Sequence, residues 1–270
     1  MSATEAVGYE VEGPLATVRL ADAAGHNRLS DDLRTAMIGA LREAAADPRV
    51  RVVVLEGLPE IFCAGGSVEQ MLRPHERRIV PVWEFLRAVV DCPLPVVAAA
   101  QGHALGGGFL LALYCDVVVL SDRSRYAANF LAYGFTPVLG ATHLLPAKLG
   151  AALGAEMLYT ARSYRGRELA DRGAGVTVTA HDKVCAEAQR TALRIAQAPR
   201  DALERLKAHL RAETLERAEA ALAREIPDHE ATIGSAEARR RIRTLHGERI
   251  GAARVRTDAA PVPSRVGGPR

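Results

Sequence analysis

Two glycine-rich turns are the places in this chain where residue type and spacing could do chemistry. One is Phe62-Cys63-Ala64-Gly65-Gly66, which follows the apolar run RVVVL at 51–55. The other is Gly102-His103-Ala104-Leu105-Gly106-Gly107-Gly108, which follows PVVAAA at 95–100 and opens directly into a helical stretch. Glycine lets the backbone approach a ligand closely. A helix that starts after Gly106 presents N–H groups with no partner inside the helix, at the positive end of its dipole. Two such turns side by side can aim two backbone N–H groups at one oxygen, and so stabilise a developing oxyanion such as a thioester enolate. Each turn by itself also reads as tight packing of a helix on a strand. The spacing is not the GxGxxG of dinucleotide-binding folds, so no hydride cofactor is expected.

The elements that must position these turns follow from patterning. Residues 7–20 alternate apolar and polar around Gly13-Pro14 and predict a hairpin. Ser30 fits a helix N-cap, with Asp31 and Asp32 in the first turn and Leu33, Met37, Ile38 and Leu41 marking a helix to about Asp47. Three short apolar runs, at 51–55, 95–100 and 116–120, are strands buried on both faces. Helical stretches at about 82–90 and 107–114 lie between them, which gives an α/β chain built around a mostly parallel sheet. After about residue 180 the pattern turns helical, at 182–197, 200–211, 214–224 and 233–245, with Pro199 and Pro227 as separators. The expected organisation is a core over 1–180, a helical C-terminal lobe over 181–250, and a disordered tail over 251–270 that lacks periodicity. No internal sequence repeat is evident.

Composition excludes several functions. With 35 basic and 32 acidic residues and only 4% aromatics, the chain lacks both the charge and the stacking surface of a nucleic-acid binder. Cys63, Cys92, Cys115 and Cys185 have no CxxC spacing and sit in or beside apolar runs, so buried reduced thiols are expected rather than a zinc or redox site. No metal-ligand spacing occurs. No apolar run is long enough to span a bilayer, and the first residues resemble no secretory leader, so no membrane partner and a cytoplasmic location are expected.

Taken together, three segments resemble the crotonase (enoyl-CoA hydratase/isomerase) superfamily: FCAGG at 62–66, PVVAAAQGHALGGGFLLALYCDVVV at 95–119, and GFTPVLGATHLLPAKLG at 134–150. The resemblance runs from about Val11 to about Arg243. It implies a spiral of ββα units, a helical C-terminal lobe, and assembly into homotrimers or dimers of trimers. It also implies that the backbone N–H groups of Gly66 and Gly107 form the oxyanion hole. The two positions that carry glutamates in the hydratases of this superfamily hold Leu110 and Phe130 here. Hydration needs a base for water and an acid for carbon, and neither side chain can serve.

The block Ala128–Pro137, with Gly140-Ala141-Thr142, Tyr159-Thr160 and Tyr164–Leu169, is similar to the decarboxylating crotonases of polyketide β-branching cassettes. That similarity implies a lyase acting on a 3-methylglutaconyl-type thioester carried on the phosphopantetheine arm of an acyl carrier protein, with free CoA as the alternative carrier and no other cofactor. Loss of carbon dioxide would push electrons onto the thioester oxygen as a dienolate. Leu110 and Phe130 would supply an apolar wall around the carboxylate. His229 falls at the position of the subfamily's histidine and would be the acid; the same residue also reads as a solvent-facing histidine near a helix start.

The subfamily's lysine does not transfer. Its position is Pro74, and the three lysines of the chain, Lys148, Lys183 and Lys207, lie elsewhere in sequence. His75 or a neighbouring arginine is the expected substitute, with Arg73 and Arg77 able to hold the substrate carboxylate and His75 able to donate a proton. Arg73–Arg78 also reads as a solvated loop. An acidic carrier would favour a basic rim such as Arg73, Arg77 and Arg78. His103 is expected to pack beneath its turn, and Asp116 carries no assigned role. Two other functions remain: an enoyl thioester isomerase or dehydratase using His229, and a catalytically degenerate member of the fold that only binds partners.

Overall fold

The computed structural model describes residues 6–73 and 75–245, the side chains of 68 and 75–78 excepted. The expected tail over 251–270 and the last residues of the expected lobe lie outside that range, as does Pro74.

The hairpin is β1 (Val7–Glu12) and β2 (Leu15–Leu20), turning at Gly13 with a φ of 55°. Ser30 caps α1 (Asp31–Ala46) as its sequence suggests, its Oγ accepting from Leu33 N at 3.2 Å. The chain then repeats one unit: a strand in a large sheet, a short strand in a small sheet, then helix. The repeats are β3 (Val52–Glu56), β4 (Ile61–Cys63), α2 (Val68–Met71) and α3 (His75–Asp91); β5 (Val96–Ala100), β6 (His103–Leu105) and α4 (Gly107–Tyr114); then β7 (Val117–Ser121), β8 (Arg125–Ala127), α5 (Ala141–Leu149) and α6 (Ala151–Thr160). Each strand pairs in parallel with its counterpart one turn later, which is what winds the chain into a spiral. Three-residue strands carry too little pattern to be seen in sequence, so the second sheet was not foreseen from the residues.

Short elements β9 (Tyr164–Arg165), α7 (Gly166–Asp171) and β10 (Thr177–Thr179) follow, then α8 (Val184–Ile195) and α9 (Arg200–Ile233). The large sheet runs β1-β2-β3-β5-β7-β10 and the small one β4-β6-β8-β9. Side chains alternate across the large sheet. Val53, Leu55, Ala98 and Leu120 face the main core, while Val52, Val54, Val97, Ala99 and Val119 face Val184, Ala188 and Ala192 of α8. With both faces covered, the strands read as unbroken apolar runs.

Two helical expectations need correction. α3 begins at His75, not near 82, so residues 75–78 are its first turn rather than a loop. α9 is one 34-residue helix with Pro227 inside it, where the sequence suggested breaks near 212 and 227. Its buried stripe of Ala218, Ala221, Leu222, Glu225, His229 and Ile233 recurs every three or four residues, and burial along that stripe outweighs the local cost of proline. Residues 236–245 form a further helical segment.

Candidate active site

The two glycine turns meet because their strands do. β4 and β6 are adjacent and parallel, with Cys63 opposite Ala104, so both strands end at the same edge of the small sheet. Gly65 has a φ of 77°, and a Cβ there would lie 2.4 Å from the Leu105 carbonyl oxygen. Only glycine fits. The segment before α1 holds this turn from behind. His26 and Asn27 adopt φ values of 58° and 50°. The Asn27 amide donates to the carbonyls of Leu20 at 3.1 Å and Phe62 at 3.0 Å, and Leu29 N donates to Gly65 O at 3.0 Å. Beyond Gly66, Ser67 and Gln70 cap α2 reciprocally: Gln70 N donates to Ser67 Oγ, and Ser67 N to Gln70 Oε1.

In the second turn Gly106, with a φ of 54°, leads into α4 and donates its N–H to Ala127 O of β8 at 2.8 Å. A Cβ at Gly108 would lie 2.3 Å from Cys63 O, so that glycine serves close packing of α4 on β4. The N–H groups of Gly66 and Gly107 have no hydrogen-bond acceptor among the described residues, and both residues line one cavity. Beside them, burial pushes the Cys63 thiol up to about 12, which keeps it protonated and inert.

The opposite wall comes from the 134–142 turn and α9. The Thr136 carbonyl lies 2.8 Å from His229 Nδ1. A carbonyl can only accept, so Nδ1 carries the proton, and Nε2 is the nitrogen through which the imidazolium can give one up. His229 is 2% exposed and lines the cavity. Glu225, one helical turn earlier, accepts from Gly140 N and Thr142 N, both at 2.8 Å. Thr232 accepts from Thr136 N at 3.0 Å. Three residues on one face of α9 thus fix the turn that carries Phe135, Val138 and Leu139 into the cavity. Leu139 is held at a φ of 67°, with its carbonyl accepting from Tyr114 OH at 2.7 Å. Burial and Glu225 push the Tyr114 phenol far above its ordinary range, so it stays a donor. Phe135 packs edge-on to the His229 ring at 5.2 Å and lies parallel to Tyr133 at 5.9 Å.

The fold thus brings together Gly66, Gly107, Phe130 and His229. His229 does not face solvent, which sets aside the alternative reading of it. Leu110 does not join them. It lies at the end of the first turn of α4, fully buried in the core, and is not part of the cavity lining. α4 is enclosed on every side, so its residues beyond Gly107 face other protein groups. Arg73 is also outside the lining and is paired with Asp31 at 3.3 Å and Glu69 at 3.5 Å. Although burial raises the Asp31 carboxyl, Arg34 and Arg73 outweigh it and hold the group below its usual range. The side chains of His75 and Arg77 are outside the described residues. Half-buried His103 takes a hydrogen bond from Arg125 N at 3.1 Å on Nδ1, and it does not line the cavity. Asp116 accepts from Val96 N at 2.7 Å and Lys207 Nζ at 2.6 Å, a structural tie.

The site residues not foreseen are Asn27, Glu225, Thr232 and Asn129. Asn27, Glu225 and Thr232 act through side-chain contacts between distant segments, and Asn129 reaches the cavity only through strand register; sequence offers no local signal for either. Among the described residues the lining contains no Asp, Glu, Lys or Arg; its polar side chains are Gln70, Asn129, Tyr133 and His229.

The fold is that of the crotonases, and residues 10–249 match the enoyl-CoA hydratase/isomerase family; the chain belongs to that family. Among its relatives is the bacillaene synthase decarboxylase PksI of Bacillus subtilis, 37% identical over 88% of this chain and 96% of that protein. The ECH2 decarboxylase domain of CurF from Lyngbya majuscula superposes with a TM-score of 0.82 at 33% identity, covering 90% of this chain and all of that domain. A structure from a dehydratase/decarboxylase enzyme couple involved in polyketide β-branching superposes with a TM-score of 0.83 at 36% identity, over 89% of this chain and 96% of the other.

Proposed function

We propose that this protein is a carboxy-lyase that decarboxylates a 3-methylglutaconyl-type thioester on an acyl carrier protein during polyketide β-branching. The observation that carries the proposal is a cavity with two unsatisfied backbone donors, an apolar wall and no described carboxylate. Similarity to decarboxylases of the same fold supports the same reading.

The chemistry follows from the residues. The departing carboxylate sits on the allylic γ-carbon, next to an alkene that is conjugated with the thioester carbonyl. As the bond to carbon dioxide breaks, its electron pair moves into a dienolate whose oxygen sits on Gly66 N–H and Gly107 N–H. Such preorganised donors are each worth about 3–4 kcal/mol in the transition state. Phe130, Phe135, Val138 and Leu139 keep water from the carboxylate and so disfavour its charged ground state. His229 as imidazolium then protonates carbon through Nε2 and recovers a proton from solvent. Its hydrogen bond to Thr136 O stabilises the charged ring and fixes its direction. Hydration by a pair of carboxylates, one as base and one as acid, has no counterpart here, because the described lining holds neither Asp nor Glu.

We further propose that the pantetheine arm of the carrier is the only prosthetic group involved, that His75 or Arg77 takes over from the missing lysine, and that the chain works as a cytoplasmic homotrimer. Among the described residues no helix is long and apolar enough to cross a membrane.

The test is intact-protein mass spectrometry of an acyl carrier protein loaded with 3-methylglutaconate, incubated with and without the enzyme. Expected is loss of the mass of carbon dioxide, at a rate that drops steeply in His229→Ala. An unchanged acyl mass while the carrier still binds would overturn the proposal.

A further inference from the structure

The oxyanion site has a third strand end beside it. β6 pairs in parallel with β8, Leu105 opposite Ala127, so β4, β6 and β8 finish in a row at one edge of the small sheet. Neighbouring strands lie about 4.8 Å apart. The first end delivers Gly66 and the second Gly107. The third runs through Ala128 to Asn129, whose side chain lines the same cavity.

Asn129 is 7% exposed. Buried amides are nearly always hydrogen-bonded. Yet the side chain of Asn129 makes no hydrogen bond among the described residues, and neither of its polar atoms is sealed from the cavity. The nearby backbone is already satisfied, with Gly106 N donating to Ala127 O. What remains for this amide is whatever enters the cavity. Its Oδ1 lies 3.1 Å from where a Cβ on Gly106 would stand, so the amide rests against the residue immediately before the Gly107 donor. Any side chain at Gly106 would crowd it. With Oδ1 turned to Gly106, Nδ2 is the end left to donate.

We propose that Asn129 is a catalytic residue that supplies a third hydrogen bond, from its side-chain amide, to the thioester oxygen as it becomes an enolate. This rests on the site being a thioester oxyanion site, as argued under Proposed function. The amide is neutral, so it strengthens its bond as charge arrives at the oxygen without clamping the substrate carboxylate in the ground state. An enolate oxygen can take three donors, and this edge then offers three: two from backbone and one from a side chain.

The test uses two variants that keep the branched shape of the side chain, Asn129→Leu and Asn129→Asp, and two measurements. The first is the absorbance of a cinnamoyl thioester on pantetheine, which shifts to the red when its carbonyl is polarised by bound donors. The second is decarboxylation of the loaded carrier, with kcat and KM separated. Expected is a smaller red shift in Asn129→Leu. Its kcat should fall about 10²-fold, with KM within about threefold of wild type. Asn129→Asp should be worse than Asn129→Leu, because it places an anion beside the developing charge. A purely structural role would not rank the variants this way or move the spectrum of bound ligand. An unchanged red shift and kcat in Asn129→Leu would overturn the inference. Wild-type protein that polarises the cinnamoyl thioester but releases no carbon dioxide would instead overturn the decarboxylase assignment and leave Asn129 to be judged on the spectrum.

Discussion

The two walls of the cavity are built in opposite ways. The proposed oxyanion wall is backbone: strand ends in register, glycines at positive φ, and N–H groups aimed by the path of the chain. The wall of the proposed acid is side chain: His229, Glu225 and Thr232 reach from α9 to a turn that is far from it in sequence. A backbone wall tolerates most substitutions around it and fails only where a Cβ intrudes. A side-chain wall can be disarmed one group at a time while the rest stands.

The sharpest way to separate the walls is His229→Ala. We expect kcat for decarboxylation to fall by about 10²–10⁴-fold, as for removal of a general acid. Red-shifted binding of a cinnamoyl thioester should survive, because the oxyanion wall is untouched. If both are lost, the walls are not independent. Gly65→Ala should do the reverse and remove the red shift, with about 10²-fold lower kcat. It should also destabilise the fold, because its Cβ meets Leu105 O at 2.4 Å; thermal unfolding would show this directly. Glu225→Gln is a milder probe of the acid wall. Its amide can accept from only one of the two N–H groups that Glu225 now satisfies, so a stability loss of about 1–3 kcal/mol in urea titration is expected, with His229 chemistry impaired less than in His229→Ala.

The prediction with the least bearing on the two walls concerns the buried thiols Cys63 and Cys115. Burial raises Cys63 from 9.0 to about 12, and Cys115 likewise. A group whose folded pKa lies above its unfolded one stabilises the fold fully below the unfolded value and loses that contribution as pH rises towards the folded one. Stability should therefore decline between 9.0 and about 12, while near neutrality iodoacetamide should spare both residues until the protein is unfolded.

The same division governs what sequence could foretell. Glycines at Gly65, Gly66, Gly106 and Gly107 are visible because backbone geometry restricts residue type locally. The strands of the large sheet are visible because burial on both faces leaves unbroken apolar runs. Ser30 is visible because capping is a contact three residues long. The acid wall is nearly silent. His229 was found by its place in a family pattern, but its bond to Thr136 spans 93 positions, and Glu225 reaches across 85 to Gly140. Asn129 and Asn27 are ordinary polar residues until strand register sets their neighbours. Leu110 was expected in the wall because a single helix position cannot reveal that α4 is enclosed on every side. Arg73 was expected at the substrate because its partner Asp31 is distant in sequence. Pro227 suggested a break that packing overrules.

That unbroken α9 sets a constraint of a different order from any single substitution. Lys207 is pinned near one end, its Nζ bonded to Val89 O, Leu94 O and Asp116 Oδ2, and His229 stands about six turns further on. Between the two anchors the exposed face is free to vary in sequence, but not in length. One residue inserted or deleted there would rotate His229 by about 100° around the helix axis and carry it off the cavity. Homologues that keep this acid should therefore conserve the spacing between the two anchors more strictly than the residues that fill it.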